Sequence, residues 1–127
     1  MKALVLAAVA IGATMGAAQA QDLAAGEQSF RKCLPCHSVG EDARNKIGPV
    51  LNGLDGRKSG TIPDYSYSEA NKKAEITWSE AEFKDYIQNP MQRVPGTKMA
   101  FAGIKNEKEI ADLWGYLKQF KADGTKK

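Results

Sequence analysis

The sequence predicts an all-α fold of four to five helices with long loops, folded as one small domain. Several segments place apolar residues at helical spacing behind capping residues, whereas no segment of any length alternates apolar and polar residues as a strand does. Between the first two of these segments, glycine and proline recur at short intervals from residue 39 to 64. A loop region this long usually serves a function, and winding around a bound cofactor is a sufficient one.

Residues 1–20 have the pattern of a cleaved export signal and not of a folded segment. A positively charged start is followed by an apolar run from Ala3 to Ala13 and by Ala18-Gln19-Ala20, a small-x-small cleavage site. A transmembrane anchor fits less well, because the run is alanine-rich and a span needs about 20 strongly apolar residues. We therefore expect cleavage after Ala20, export to the periplasm, no stable membrane insertion, and one domain of residues 21–127.

Capping residues predict the first two helices. Asp22 is a suitable N-cap for a helix from Leu23 to Lys32, which contains no proline or β-branched residue. Gly26 within it costs about 1 kcal/mol relative to alanine, which indicates close approach by another element. Ser68 caps a second, shorter helix that ends at Lys73.

Two further helices are predicted in the second half of the chain. The sequence Thr77-x-x-Glu80 is a capping box that opens a helix, and Asn89-Pro90 is its stop. Asn106-x-x-Glu109 repeats the cap signal, and apolar residues at helical spacing follow it. Asp123-Gly124 ends this last helix, and the Lys126-Lys127 tail is expected to be disordered.

The strongest chemical signal is Cys33-Leu34-Pro35-Cys36-His37, which places two thiols three residues apart and an imidazole directly after the second. This spacing is typical of a c-type haem attachment site. Cys33 and Cys36 are the only cysteines of the 127 residues, and His37 is the only histidine. We therefore expect one covalently attached haem c, held by two thioethers and one axial imidazole, with the long loops wrapped around it.

Three other interpretations of the cysteine pair are weaker. A structural zinc site requires four Cys or His ligands, and this chain has three such residues in one cluster. A thioredoxin-like dithiol belongs in a βαβ context, but no β-branched strand precedes Cys33. A plain disulfide across so short a loop would leave His37 without a role.

The second axial ligand decides what the iron can do. Methionine is the natural donor in the absence of other Cys or His residues, and only Met91 and Met99 lie beyond residue 20. Met99 is preferred because it lies in a turn-rich segment between two helices, whereas Met91 directly follows Pro90. Ligation by histidine and methionine raises the reduction potential and leaves no site for oxygen, so we expect one-electron transfer and no enzyme activity. The alternative is a haem protein with a labile sixth site that acts as a peroxidase or gas binder.

The chain resembles the class I cytochromes c, and within them the bacterial cytochromes c2 that are close to mitochondrial cytochrome c. Gly26 would then mark the close crossing of first and last helices found in this family, against Leu113 and Tyr116. The matching segments are Cys33 to His37, Lys46-Ile47-Gly48-Pro49, Leu51-Asn52-Gly53-Leu54, Gly56-Arg57, Tyr65-Ser66-Tyr67-Ser68, Ala70-Asn71-Lys72, Ile76-Thr77-Trp78, Pro95 to Met99, Phe101-Ala102-Gly103 and Leu113 to Lys118.

The resemblance implies roles for residues around the haem. The Pro49 carbonyl would accept a hydrogen bond from His37 Nδ1 and so fix the tautomer of the imidazole. Tyr86 and Asn71 would lie in a network near Met99 and tune the potential. The residues implied to neutralise or hydrogen-bond the haem propionates are Arg57, Tyr67, Ser68, Trp78 and Thr97.

The resemblance also implies partners. A soluble, monomeric carrier of this kind would take electrons from a cytochrome bc1-type complex and pass them to a photosynthetic reaction centre or a terminal oxidase. Met91-Gln92 stand where many relatives have lysines, which removes part of the usual cationic rim. The formal net charge of +3 falls to +2 without Lys2, so charge alone indicates neither nucleic acid nor a membrane as partner. The basic residues implied to steer docking are Lys32, Arg44, Lys46, Lys72, Lys73 and Lys98.

Overall fold

A computed structural model describes residues 8–12 and 21–127 of the chain. The start of the predicted export signal and its cleavage site at Ala18-Gln19-Ala20 lie outside the described residues. Over the described ranges the chain forms five helices and two isolated bridge pairs, with no strand, which confirms the predicted all-α fold. The helices are α1 (Leu23–Phe30), α2 (Glu69–Lys73), α3 (Glu80–Gln88), α4 (Pro90–Arg93) and α5 (Glu107–Leu117).

The first and last helices, α1 and α5, cross at Gly26. A Cβ atom at Gly26 would lie 2.1 Å from the Asp112 carbonyl oxygen and 2.8 Å from the Tyr116 Cβ, so the crossing requires a glycine. Leu113, on the same stretch of α5, is fully buried. The approach that Gly26 indicates in the sequence is therefore made by α5.

A buried carboxylate fastens the beginning of α1 to the same part of α5. Asp112 Oδ1 accepts a hydrogen bond from the Asp22 backbone N–H at 2.9 Å, and its Oδ2 pairs with Lys108 Nζ at 2.6 Å. Asp22 also caps α1 as predicted, because its side chain accepts from the Ala25 N–H at 3.0 Å. The hydrogen bond between Asp22 and Asp112 therefore connects the residue that precedes α1 to α5.

The N-cap of α3 differs from the prediction. Ser79, not Thr77, caps this helix by accepting a hydrogen bond from the Glu82 N–H at 3.3 Å. Thr77 instead pairs with Lys58 in an isolated antiparallel bridge, which keeps its backbone extended. The contact with a distant part of the chain therefore moves the helix start by two residues.

The predicted stop of α3 is also the start of a helix that the sequence interpretation missed. Asn89 ends α3, and its side chain then accepts from the Gln92 N–H at 3.2 Å to cap α4. Pro90 occupies the first position of α4, where a missing N–H costs nothing and the fixed φ is already helical. α2 begins as predicted, with Ser68 as its cap.

Helix α5 begins at the predicted cap but ends earlier than predicted. The Asn106 side chain accepts from the Glu109 N–H at 2.9 Å, and the helix ends at Leu117. Beyond it, residues 119–127 turn back on themselves and are called the C-terminal hook below. Phe120 and Lys126 pair in an antiparallel bridge, so the expectation of a disordered tail is wrong.

The core lies between α1, α3 and α5. The buried apolar residues are Phe30, Leu54, Ile76, Trp78, Phe83, Tyr86, Ile87, Val94, Ile104, Ile110, Leu113, Trp114, Leu117 and Phe120.

None of the helices in the described ranges is both long and apolar enough to span a bilayer.

Candidate functional site

A deep, mostly apolar cleft opens between the helices and the long loops. Its empty space, counted out to the open mouth, is about 1320 Å³. Side chains from the turn after α1, from the loop region, from α3 and α5, and from the segment before α5 line it. Every residue that the sequence interpretation assigned to the cofactor contributes to this lining: Cys33, Cys36, His37, Pro49, Arg57, Tyr67, Ser68, Asn71, Trp78, Tyr86, Thr97 and Met99.

The two thiols are carried by a tight turn that continues α1. The Cys36 N–H donates to the Cys33 carbonyl at 3.0 Å, and the His37 N–H donates to the same oxygen at 2.8 Å. Both cysteines are free thiols, not a disulfide. Burial raises the pKa of Cys33 to about 11, although the neighbouring Lys32 acts in the opposite direction. Cys33 is thus a protonated thiol that faces the mostly apolar cleft.

The His37 imidazole is held by the loop that carries Gly48 and Pro49. Its Nδ1 lies 2.7 Å from the Pro49 carbonyl oxygen, which can only accept, so Nδ1 carries the proton. A Cβ atom at Gly48 would lie 2.4 Å from His37 Cε1, so the loop packs onto the ring because that residue has no side chain. Burial is the main cause that lowers the pKa of His37, and the Pro49 hydrogen bond opposes it. The neutral ring therefore keeps a lone pair on Nε2 for a metal.

Met99 lines the same cleft from the segment between α4 and α5. The Tyr86 hydroxyl, from α3, donates to Met99 Sδ at 3.2 Å. Burial raises the pKa of Tyr86, so this hydroxyl keeps its proton. The Met99 N–H donates to Thr97 Oγ1 at 3.2 Å, which fixes the backbone at the thioether. Met91, the rejected candidate, is 53% exposed and lies at the start of α4.

Asn71 joins two hydroxyl groups beside Met99. Its Oδ1 accepts from Ser68 Oγ at 2.7 Å and from Thr97 Oγ1 at 2.7 Å. Each hydroxyl has a single proton, so both protons are directed to Asn71 in this arrangement. Ser68 also caps α2 through the Asn71 N–H at 3.1 Å. The network therefore connects α2 to the segment that presents Met99.

Arg57 and Tyr67 stand at the cleft with part of their hydrogen-bonding capacity already used. Arg57 Nη1 donates to the carbonyls of Val50 and Asn52, each at 3.0 Å, and burial lowers its pKa. The Tyr67 hydroxyl accepts from the Ile62 N–H at 3.1 Å and retains its own proton to donate. Both side chains thus keep donors for an anionic group in the cleft.

Two cleft residues were missed in the sequence interpretation. Gly48 decides how closely the loop approaches His37, and Tyr65 closes the cleft by donating from its hydroxyl to the Ile47 carbonyl at 2.7 Å. Tyr65 also stacks edge-on against Tyr67, with ring centroids 4.7 Å apart. Both residues lie in segments that match the resembled family, Lys46-Ile47-Gly48-Pro49 and Tyr65-Ser66-Tyr67-Ser68, and this match was the signal that could have found them.

All six basic residues of the implied docking set are exposed. Lys32 and Lys98 lie at the mouth of the cleft. Lys32 forms an ion pair with Glu109, Lys72 pairs with Glu69 at 3.2 Å, and Lys98 Nζ donates to the Ser66 carbonyl at 3.1 Å. Their positive charges therefore remain at the surface, but some are partly neutralised by neighbours.

The chain is similar to known proteins of one family. The family model described as Cytochrome c matches residues 23–121. The chain belongs to the cytochrome c family. It is similar to the cytochrome c2 of Rhodoplanes tepidamans, with 65% identity over 107 residues that cover 84% of this chain and 100% of that protein. It is also similar to the cytochrome c2 of Blastochloris viridis, with 54% identity over 127 residues that cover 100% of both chains.

A solved structure supports the same conclusion. Cytochrome cH from Methylobacterium extorquens superposes with a TM-score of 0.72 at 42% identity, covering 76% of this chain and 97% of that one. The protein is thus a class I bacterial cytochrome of the c2 type, an electron-transfer protein with a covalently bound haem c and not an enzyme. The zinc, dithiol and disulfide interpretations of the cysteine pair have no support within this family.

The residues of the cleft fit such a cofactor. Two free thiols face it three residues apart, and an imidazole beside them has its Nδ1 proton engaged and its Nε2 lone pair available. The apolar lining suits a macrocycle, while Arg57 and Tyr67 offer donors to its carboxylates. The donor set and the polarity of the lining therefore both agree with a haem.

Proposed function

We propose that the chain is a periplasmic one-electron carrier, with haem c attached through Cys33 and Cys36 and ligated by His37 and Met99. One observation carries the proposal: both candidate ligands line one cleft, and each is held by a partner that leaves its donor atom available. Pro49 engages only His37 Nδ1, and Tyr86 approaches only one side of the Met99 thioether. When bound, the haem supplies an iron centre that exchanges one electron.

The chain's own contribution is to keep the ligand geometry constant. The Pro49 carbonyl orients the imidazole and makes it a better donor. Tyr86 and Thr97 hold the methionine side chain and its backbone. Rigid support from both sides reduces the rearrangement that must accompany each electron exchange.

We further propose that Arg57, Tyr67 and Trp78 bind the haem propionates, because these side chains bring donors to a cleft where an unpaired carboxylate would be costly. Ser68 and Thr97 have a different main role in this proposal. Their protons are directed to Asn71, so they orient that amide near Met99 and leave the propionates to the other three.

The proposed partners are a cytochrome bc1-type complex as donor and a photosynthetic reaction centre or terminal oxidase as acceptor. The exposed basic set of Lys32, Arg44, Lys46, Lys72, Lys73 and Lys98 supports docking to acidic membrane complexes. The names of the bacterial relatives, cytochromes c2, fit a carrier between such complexes. Transfer kinetics with isolated reaction centres and with isolated oxidase, compared under one set of conditions, would identify the acceptor.

Cleavage after Ala20 is part of the same proposal. It leaves residues 21–127, and the Rhodoplanes tepidamans relative aligns over its whole length with 107 residues. Mass spectrometry of protein from the periplasm tests it directly. The expected mass is that of a chain beginning at Gln21 plus one haem, and retention of residues 1–20 would contradict it.

The ligand assignment is tested by an optical spectrum of the oxidised protein. The native protein should show a weak near-infrared sulfur-to-iron band, and Met99→Ala should abolish it because no other thioether lines the cleft in the described ranges. Met91→Ala is the matched control, because its side chain is exposed, and it should keep the band. Ready binding of carbon monoxide by the reduced native protein would instead support the labile-site alternative.

A further inference from the structure

The C-terminal hook, residues 119–127, is a built structure and not a loose tail. The Lys121 N–H donates to the Thr125 carbonyl at 2.8 Å, and the Lys127 N–H donates to the Gln119 carbonyl at 2.8 Å. Asp123 Oδ1 accepts from the Thr125 N–H at 2.9 Å and holds the turn. Gly124, at the tip, is buried with φ at +85°. A buried glycine at the tip of a terminal hairpin indicates that the tip is pressed against another part of the chain.

The hook closes on two turns of the loop that carries Pro49. A Cβ atom at Gly124 would lie 2.1 Å from the Gly40 carbonyl oxygen and 2.7 Å from the Glu41 nitrogen. A Cβ atom at Gly53 would lie 3.0 Å from the Ala122 Cα, and the Gly53 N–H donates to the Phe120 carbonyl at 2.9 Å. The two contact points, Gly40 and Gly53, flank Pro49 in the sequence.

Asn52 and Arg57 together join these two contact points to the peptide after Pro49. Its buried amide accepts from the Gly40 N–H at 2.9 Å and donates to the Gly40 carbonyl at 2.8 Å. Arg57 Nη1 donates to the carbonyls of both Asn52 and Val50 at 3.0 Å. A continuous set of backbone and buried side-chain contacts therefore runs from the hook to the residue that follows Pro49.

We propose that the C-terminal hook positions the Pro49 carbonyl for its hydrogen bond to His37 Nδ1. Gly124 and Ala122 pack against the turns at Gly40 and Gly53. Asn52 and Arg57 connect these turns to Val50, the neighbour of Pro49 in the loop that packs on the imidazole. The hook residues are positioning residues, because they act on the ligand only through the loop. The inference rests on the proposed role of His37 as an axial ligand.

The test measures hydrogen exchange of the His37 Nδ1 proton by NMR in the haem-loaded protein. Two variants release the hook: Gly124→Ala, which adds a methyl group against the Gly40 carbonyl, and a chain that ends at Ala122. Gly56→Ala is the matched control. Gly56 also has a left-handed φ, +83°, but a Cβ atom there meets nothing within 4 Å. The control therefore carries the same backbone strain without the contact.

We expect the ring proton to exchange about tenfold faster or more in both hook variants, the factor that corresponds to about 1.4 kcal/mol of local stability. Gly56→Ala should leave the rate unchanged. The Leu113 amide, in the crossing of α1 and α5, is the internal reference and should keep its rate in all variants. An unchanged ring proton overturns the proposal, and so does equal acceleration of the ring proton and the Leu113 amide, which would make the hook a general stabiliser.

The unmodified protein separates this proposal from the proposed function. If His37 is a ligand, the ring protons in the oxidised protein are shifted far outside the ordinary range by the paramagnetic iron. Absence of that shift before any substitution would contradict the ligand assignment itself. A normal shift with unaltered exchange in the hook variants would contradict the positioning role alone.

Discussion

At the scale of single residues, the proposed site depends on the atoms that hold the two candidate ligands as much as on the candidate ligands themselves. His37 keeps one nitrogen available because Pro49 engages the other, and the loop reaches the ring because Gly48 has no side chain. Met99 is approached by one hydroxyl donor, Tyr86. The electronic character of both candidate ligands is therefore set by single neutral hydrogen bonds.

Tyr86→Phe tests the bond to Met99. A donor on the thioether withdraws electron density and disfavours the oxidised iron, so its removal should lower the reduction potential. A neutral hydrogen bond of about 1 kcal/mol corresponds to a change on the order of 40 mV for a one-electron couple. The measurement is a redox titration. Tyr116→Phe is the control, since Tyr116 does not line the cleft, and an equal shift in both variants would contradict the assignment.

At the scale of helices, the contact between α1 and α5 is the most extensive one in the described part of the chain. Gly26 allows the two backbones to approach, and Asp112 fastens the start of α1. Both features lie away from the cleft, yet α1 leads directly into the turn of Cys33 and Cys36. The position of the thiols therefore depends on this contact.

Gly26→Ala should destabilise the protein, contrary to the usual effect of this change in a helix. In an isolated helix alanine is about 1 kcal/mol better than glycine. Here the added methyl group meets the Asp112 carbonyl, and such overpacking costs roughly 1–3 kcal/mol or more. Urea unfolding gives the difference. Ala24→Gly, at an exposed position of α1, measures the propensity alone. Stabilisation by Gly26→Ala would show that the helices can move apart without cost.

Asp112→Asn tests the carboxylate through its pH dependence. The hydrogen bond from Lys108, and then that from the Asp22 N–H, lower the pKa of Asp112 in the folded protein. The charged carboxylate therefore stabilises the fold above its unfolded pKa of about 3.9, and the contribution is lost as pH falls through the lower folded value. Asp112→Asn should be less stable at pH 7, and the difference should shrink below pH ~4. Urea unfolding curves that stay equally far apart from neutral to acid pH would contradict this.

The helix boundaries were predicted correctly where the signal lies within a few residues of sequence. The predictions were wrong where a contact between two distant parts of the chain decides the boundary. Asp22 and Asn106 cap their helices through side chains three residues from the bonded N–H, and a sequence shows that spacing directly. Thr77 and Ser79 both offer such a cap, but the bridge between Thr77 and Lys58 decides for Ser79. Asp123-Gly124 is a helix stop and equally a hairpin turn, and only the contact with Gly40 distinguishes the two.

The candidate site divides in the same way. Cys33, Cys36 and His37 are adjacent in the sequence, so their chemistry is visible in one motif. Met99 was predicted as the second ligand from the lack of other Cys or His residues and from its turn-rich segment, and the assignment stays a prediction. The bond between His37 and Pro49 joins residues of an irregular loop, and no periodicity marks it, so the sequence supplied it through the resemblance alone. The hydrogen bonds that Ser68 and Thr97 donate to Asn71 leave no signal in the sequence, and only the structure shows them.

At the scale of the whole molecule, function depends on where the charge lies more than on its sum. The formal net charge is small, +3 for the full sequence, but the six basic residues of the proposed docking set are all exposed. Ile47, on the lining of the cleft, is 76% exposed, so an apolar contact is available among the charges. An acidic partner would be attracted over a distance and then held by a small contact.

Electron transfer to an acidic membrane complex should therefore slow as ionic strength rises, because salt screens exposed charges. Lys73→Glu should reduce the second-order rate at low salt by roughly tenfold, and the loss should shrink at high salt. Lys58→Glu is the control, an equal charge change at an exposed position outside the docking set. Stopped-flow kinetics measure both. Equal losses in the two variants would show an effect of net charge, and a rate independent of salt would contradict electrostatic docking.

The contact between α1 and α5 also bears on how the proposed periplasmic carrier folds after export. α1 lies near the start of the chain, but the helix that it packs against spans residues 107–117, near the other end. A chain that enters the periplasm with its N-terminus first therefore has no partner for α1 until α5 has also crossed the membrane. Until then the contact cannot order the turn that follows α1, so we expect the two thiols to stay accessible for attachment of the proposed haem. The fold thus postpones the ordering of its cleft until the last helix has arrived.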